Sequence, residues 1–219
     1  MKDADIPKSL NKRTLAAACR SLSSDPLLKL VYDAYGTPPL WERPAGFATL
    51  LQIILEQQVS LASAKACFDK LSAQIGEVSP AELLMLSDAE MRTIGFSRQK
   101  TAYARHLSEA VIEDRIDLDG LSELHDEEVK NELIKLKGVG EWTSDIYLLM
   151  ALLRPDVMPK GDSALHAAYQ KPTKMDARPA SDEFVAMAEK WKPFRSVAAR
   201  MLWHFYLSGI RTAKVQART

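Results

Sequence analysis

Apolar residues recur every three or four positions along most of the chain, the spacing of one face of an α-helix. No stretch alternates apolar and polar residues for long enough to indicate a β-strand. Serine before proline or aspartate, at Ser79 and Ser87, is typical of a helix N-terminus, and Gly76 and Gly95 are typical stops. We therefore predict an all-α fold of about ten helices, including residues 47–58, 61–75, 80–86, 88–94, 98–113, 127–136, 142–153, 163–170, 182–191 and 196–208.

The length of 219 residues permits one compact domain or two small lobes. Stretches containing proline and glycine, at residues 36–46 and 154–161, are the best candidates for crossings between lobes. Two cysteines, Cys19 and Cys67, are too few for a disulfide framework or for a four-cysteine iron–sulfur cluster. No apolar run approaches the roughly 20 residues of a membrane span, and the N-terminus does not resemble a secretory signal. We expect a reduced, cytosolic protein with no membrane partner.

The charges sum to zero, which by itself argues against a polyanionic partner. They are unevenly distributed, however. Residues 113–132 contain nine acids and two bases, whereas residues 190–219 contain seven bases and no acid. Each segment could be a solvated face, or the basic segment could contact a polyanion.

The segment Leu136-Lys137-Gly138-Val139-Gly140 lies between two predicted helices. Two glycines one residue apart predict a turn too tight for a Cβ, with the intervening valine as a buried anchor. The next helix would then present backbone N–H groups and the positive end of its dipole, a site suited to a phosphate. An ordinary helix–turn–helix connection remains the alternative.

The glycine-containing turn is one of five short segments whose order and spacing along the chain are specific. Together they resemble the helix–hairpin–helix, Gly/Pro…Asp superfamily of DNA glycosylases, and within it the 3-methyladenine DNA glycosylase II branch. The segments are residues 54–60 (ILEQQVS), residues 95–97 with Lys100 and Tyr103, residues 138–143 (GVGEWT), residues 159–162 (PKGD) and residues 193–203 (PFRSVAARMLW).

The resemblance implies two helical lobes with a cleft between them that binds DNA and the excised base. We expect a central bundle at residues 44–153 and a second lobe made of residues 1–43 and 154–219. The N-terminal β-domain of some relatives is expected to be absent, because few residues precede the first shared motif.

Asp162 matches the catalytic aspartate of that family, which stabilises the cationic sugar or orients the attacking water. An aspartate after glycine is also a common N-cap, and Asp162 could cap the helix that begins at Ser163. Trp142 stands where glycosylase-lyases of the family have a nucleophilic lysine. The resemblance therefore implies a hydrolase without lyase activity, with Lys137 on the phosphate-binding turn instead.

Trp142 and Trp203 match aromatic positions that line the base pocket in this branch, where an indole face attracts a cationic alkylated purine. Ile146 stands where a pocket tyrosine can occur. Either tryptophan could instead be a core residue. Gln58 matches the residue that wedges into the duplex at the flipped nucleotide. Alternatively, Gln57 and Gln58 cap the end of their helix.

Further implications concern the hairpin and its ligands. Lys137, Gly138, Val139, Gly140 and Thr143 would bind DNA phosphate. The backbone carbonyls of Ile134, Leu136 and Val139 could hold Na⁺ or K⁺, and neither another cofactor nor an iron–sulfur cluster is expected. The four histidines lack metal-ligand spacing.

The implied function is monofunctional excision of alkylated bases from duplex DNA, with 3-methyladenine first and 7-methylguanine or ethenoadenine after it. The alternatives are a glycosylase for uracil or mismatches and a non-enzymatic DNA-binding protein. We expect a monomer in the cytoplasm or nucleoid, or in the nucleus of a eukaryote.

Overall fold

The computed structural model describes residues 6–216, with side chains to residue 209. Within residues 6–216 the chain forms twelve α-helices joined by turns and short 3₁₀ segments, with no β-strand. The all-α prediction is confirmed. The helices are α1 Lys12–Leu22, α2 Pro26–Tyr35, α3 Phe47–Glu56, α4 Leu61–Ile75, α5 Pro80–Met85, α6 Asp88–Ile94, α7 Arg98–Ile112, α8 Asp126–Leu133, α9 Glu141–Met150, α10 Ser163–Thr173, α11 Ser181–Ala188 and α12 Arg195–Gln216.

Local capping explains why many helices begin and end where the sequence predicts. The hydroxyls of Ser79, Ser87 and Ser97 each accept a hydrogen bond from the backbone N–H three residues later. Gly76 and Gly95 end α4 and α6 with positive φ angles of 73° and 120°. These signals need no tertiary contact, so they can be read directly from the sequence.

The chain divides into two compact units, and the first is Arg43–Leu152. Its centre is α3, which is buried along most of its length and packs against α4, α7 and α9. Arg43 closes the unit: its guanidinium makes two hydrogen bonds to the carboxylate of Glu56, at 2.8 and 3.2 Å. Its N–H also donates to the carbonyl of Met150. Glu56 thus ties the end of α3 to the start of the unit.

The second unit comprises the described residues up to Glu42 and from Leu153 onward. The N-terminal part of α12 forms its core, packing against α1, α2 and α10. Arg200 on α12 is fully buried and donates from Nε to the carbonyl of Leu40 at 2.9 Å. Both junctions lie one residue before those expected from the sequence.

Several helix ends differ from the prediction. α8 ends at Leu133 rather than residue 136, because Lys135 and Leu136 donate to carbonyls three residues back and tighten the chain into a turn. α9 ends at Met150 rather than residue 153. α12 continues to Gln216, past residue 208. Among the described residues, no helix is long and apolar enough to cross a membrane.

Candidate functional site

The turn between α8 and α9 is built around Gly138. Its φ is +87°, and a Cβ at this position would overlap the ring of Tyr103 on α7. Val139 follows with only 7% of its surface exposed, and its N–H donates to the carbonyl of Leu136 at 3.0 Å. The tight turn and the buried valine anchor are therefore confirmed.

Gly140 differs from the prediction. Its φ is −112°, which any residue can adopt, and a Cβ there would meet no atom within 4 Å. The fold does not require a glycine at this position, so the expectation of a steric need was wrong. Gly140 is exposed, and it precedes the first turn of α9 with no side-chain cap. Its open backbone suits close approach by an anion at the positive end of the helix dipole.

Gln57 holds the turn in place. Its Nε2 donates to the carbonyl of Gly138 and to Oγ1 of Thr143, both at 2.8 Å. The Thr143 side chain is 2% exposed. The Thr143 side chain is therefore too buried to contact a phosphate, contrary to the prediction, and instead accepts the hydrogen bond from Gln57.

Gln58, the predicted wedge, has the opposite environment from its neighbour. It is exposed and adopts a left-handed φ of +57°, just after Gln57 ends α3. Gln57 therefore lies at the helix end and contacts the hairpin, whereas Gln58 is exposed to solvent. Its wedge role stays a prediction.

Lys137 is exposed, and its backbone N–H donates to Nδ1 of His106 at 3.2 Å. A residue without an N–H could not make this bond. Of the three carbonyls expected to hold a monovalent cation, that of Leu136 accepts the Val139 N–H, and Ile134 lies at the end of α8. A carbonyl oxygen has a second lone pair, so this bond is compatible with cation binding.

The second unit contains Asp162, which is 8% exposed. It is the N-cap of α10, and its Oδ1 accepts a hydrogen bond from the Leu165 N–H at 2.9 Å. The N-cap interpretation is confirmed. The same oxygen also accepts a hydrogen bond from Nε1 of Trp203 at 3.2 Å. Two donors therefore fix the orientation of a buried carboxylate.

Trp203 is itself 8% exposed, and its ring meets that of Trp41 edge-on, with centroids 6.4 Å apart and planes at 75°. The structure therefore gives Trp203 a definite contact with Asp162, in addition to the base-pocket role predicted for it. Trp142 is half-buried on α9 and Ile146 is 3% exposed one turn later. Both lie in the Arg43–Leu152 unit, and their pocket roles stay predictions.

The basic segment near the C-terminus is largely engaged within its own unit. Lys190 pairs with Asp25, Lys192 with Glu189, and Arg195 with Asp156 and Glu189. Arg200 is buried, and these four bases all have partners within their own unit; contact of the whole segment with a polyanion stays a prediction. Arg211, Lys214 and Arg218 lie outside the described side chains.

The sequence predicted no functional role for Tyr103 or Lys100, and for Gln57 only the alternative of capping its helix. Lys100 donates from Nζ to the carbonyl of Leu55 at 2.6 Å, and burial lowers the pKa of this lysine. Tyr103 and Lys100 belong to one of the five segments that carry the family resemblance. The resemblance gave their place in the sequence pattern but no role for either side chain. No local signal in the sequence predicts that Gln57 contacts the hairpin. Among the described residues, no three His, Cys, Asp or Glu side chains gather as a metal site.

Comparison with known proteins supports the family that the motifs indicate. Residues 51–194 match the family described as "HhH-GPD superfamily base excision DNA repair protein". DNA-3-methyladenine glycosylase 1 of Schizosaccharomyces pombe is 29% identical over 203 residues, covering 91% of this chain and 89% of the relative. The putative DNA-3-methyladenine glycosylase YfjP of Bacillus subtilis is 27% identical over 184 residues, or 80% of this chain. The chain spans 64% of the length of YfjP.

Two solved structures of 3-methyladenine glycosylases superpose on most of this chain. The S. pombe 3-methyladenine DNA glycosylase Mag1, in complex with abasic DNA, superposes with a TM-score of 0.80 at 28% identity, covering 85% of this chain and 95% of Mag1. A DNA-3-methyladenine glycosidase of Bacillus halodurans gives a TM-score of 0.71 at 26% identity, covering 93% of this chain and 90% of that one.

Proposed function

Because the chain belongs to the HhH-GPD superfamily of base excision DNA repair proteins, we propose that it hydrolyses the N-glycosidic bond of alkylated bases in duplex DNA. The preferred substrate is 3-methyladenine, with 7-methylguanine and ethenoadenine as further substrates. The relatives named 3-methyladenine glycosylases support this choice. The observation that carries it is the buried Asp162 carboxylate, held by two hydrogen bonds.

The chemistry follows from a single carboxylate in a dry environment. When the glycosidic bond breaks, its electron pair leaves with the base and the sugar becomes cationic. A buried, preorganised carboxylate stabilises that cation more strongly than a solvated one would, and it needs no reorganisation. A water molecule then adds its oxygen to C1′, and Asp162 accepts the proton that is released.

3-Methyladenine and 7-methylguanine need little acid assistance, because the positive ring of each is already a good leaving group. Indole faces attract such rings, and Trp142 is the aromatic residue we assign to the base. This assignment rests on the family motif and on the half-buried position of Trp142 at the start of α9.

DNA is held through the backbone of the α8–α9 hairpin. Gly140 is exposed and open, and Lys137 adds a cation beside it. Gln58, exposed in a left-handed turn, is the side chain we assign to the gap left by the flipped nucleotide. With zero net charge and four C-terminal bases engaged internally, few phosphates are neutralised. The salt dependence of binding should accordingly be shallow.

Two finer features belong to the same proposal. Excision proceeds without strand cleavage, because Trp142 occupies the position where a Schiff-base lysine would be required.

A bound Na⁺ or K⁺, held by carbonyls of Ile134, Leu136 and Val139, would supply positive charge between hairpin and phosphate. The cation site can be tested by comparing the affinity of the protein for duplex DNA in KCl and in choline chloride at equal ionic strength.

The substrate is tested by incubating the purified protein with three matched duplexes and measuring the released base by chromatography. One duplex contains 3-methyladenine, one uracil and one no lesion. We expect free 3-methyladenine and no strand scission. Release of uracil alone would support the alternative glycosylase, and duplex binding without release of either base would support a non-enzymatic DNA-binding protein.

A further inference from the structure

His106 on α7 accepts a hydrogen bond from the α8–α9 hairpin. The backbone N–H of Lys137 donates to its Nδ1 at 3.2 Å, across 31 positions of the chain. His106 is half-buried and Lys137 is exposed, so the contact lies at the surface of the unit and not in its core. An accepting Nδ1 carries no proton, so the proton of the neutral ring is on Nε2. The bond therefore selects one tautomer of the ring.

Two other side chains hold the same turn from outside. Tyr103 lies three residues before His106, on the same side of α7, and its ring fills the space that a Cβ of Gly138 would need. Gln57 donates from Nε2 to the Gly138 carbonyl at 2.8 Å. The Lys137 N–H and the Cα and carbonyl of Gly138 thus each have a different side chain against them. Of the three side chains, His106 acts on the peptide group that precedes Gly138.

The bond to His106 fixes the plane of the peptide that joins Leu136 to Lys137. In a trans peptide the N–H and the carbonyl point in opposite directions within one plane, so holding the Lys137 N–H also orients the Leu136 carbonyl. That carbonyl accepts the Val139 N–H at 3.0 Å, the bond that closes the turn. His106 and Val139 therefore hold the two ends of a single peptide group.

The four consecutive N–H groups of the hairpin divide into two kinds. Those of Lys137 and Val139 donate to acceptors within the protein. Those of Gly138 and Gly140 donate to no acceptor in the part of the chain that the structure describes. The engaged and the unengaged groups alternate along the turn, so fixing the first pair sets the direction of the second pair.

We propose that His106 is a positioning residue for DNA binding: by holding the Lys137 N–H, it orients the turn so that the N–H groups of Gly138 and Gly140 can donate to a phosphate. The inference rests on the proposed function. A phosphate contact carries no sequence information, so His106 acts on the affinity for every duplex. It takes no part in breaking the glycosidic bond, so the rate of excision from bound DNA does not depend on it.

Two variants separate this role from simple packing. H106L keeps an apolar side chain and removes the acceptor, whereas the amide oxygen of H106N can take the place of Nδ1. Duplex affinity of H106L should fall about fivefold, the loss expected for one net hydrogen bond, and equally for damaged and undamaged DNA. H106N should recover most of that loss. The single-turnover excision rate at saturating protein should be unchanged in both, and urea unfolding curves show that each variant is folded in the assay.

Nuclear magnetic resonance tests the bond itself without DNA. Imidazole ¹⁵N shifts of the wild type at pH 8 should show an unprotonated Nδ1 and a protonated Nε2 in His106, and the Lys137 amide should exchange its hydrogen faster in H106L than in the wild type or H106N. A protonated Nδ1, or wild-type duplex affinity in H106L, would overturn the proposal. G140A distinguishes the two levels: if it binds duplexes weakly while H106L does not, only the role of His106 fails, and if both bind like the wild type, the DNA-binding role of the hairpin fails as well.

Discussion

The indole N–H of Trp203 donates a hydrogen bond to Oδ1 of Asp162 over 3.2 Å, although the two residues lie 41 positions apart. The same oxygen caps α10 through the Leu165 N–H. Trp203 therefore orients the carboxylate on which the proposed chemistry depends, and it does so from the buried core of α12.

Replacing Trp203 with Phe removes the N–H and keeps an aromatic ring. A hydrogen bond to a charged acceptor contributes about 1.5–3 kcal/mol, so single-turnover excision should slow by roughly 10- to 100-fold. Binding to an abasic duplex should be unchanged. W41F is the matched control, because it alters the ring that packs on Trp203 and leaves the N–H in place. Equal rates for W203F and the wild type would contradict this role.

The two hairpin glycines should respond differently to alanine. G138A forces a Cβ into the Tyr103 ring at a positive φ, and should lower the free energy of unfolding by about 1–3 kcal/mol. G140A should unfold like the wild type in urea, because its Cβ meets open space. It should nevertheless weaken binding to every duplex by crowding the approach of a phosphate. Unchanged affinity in G140A would remove this backbone from the DNA interface.

The neighbouring glutamines offer a second contrast. Q57A removes two hydrogen bonds that hold the hairpin, and should cost about 1–3 kcal/mol of stability. Q58A should leave urea unfolding unchanged because the side chain is exposed. It should slow base excision from duplex DNA more than from single-stranded DNA, where no gap needs filling. Identical losses on both substrates would argue against the wedge.

His166 predicts a pH dependence of stability. Burial places its folded pKa below the usual 6.5, so between those two values the unfolded chain binds more protons than the native one. Stability is therefore fully present above that window and falls as pH decreases through it. Urea titrations at pH 7 and pH 5 should show a larger loss for the wild type than for H166Q. A larger loss in H166Q would reverse the assigned sign.

Local chemistry explains which parts of the fold the sequence predicts. Serine caps and glycine stops act within a few residues, so α4 through α7 match their predicted positions closely. The end of α8 was missed because three residues after Leu133 turn instead of continuing the helix. The turn continues to Gly138, which packs against Tyr103, a residue 35 positions away, and no local pattern reports that contact.

The candidate site also combines features that local sequence predicts with contacts that it does not. Asp162, Gly138 and Gln58 were identifiable by motif, but their environments were not. A sequence cannot indicate that Gln57 rather than Gln58 binds the hairpin, since the difference lies in one left-handed φ. Nor can it reveal that the bases of residues 190–200 find acidic or carbonyl partners within their own unit.

Free base released by D162N is the most direct measurement of the central claim. Asparagine keeps an oxygen for the Leu165 and Trp203 donors and is a good N-cap, so the variant should fold and bind an abasic duplex like the wild type. Without the negative charge, release of 3-methyladenine under single-turnover conditions should fall by at least about a hundredfold. Release at close to the wild-type rate would contradict the assignment of Asp162 as the group that stabilises the cationic sugar.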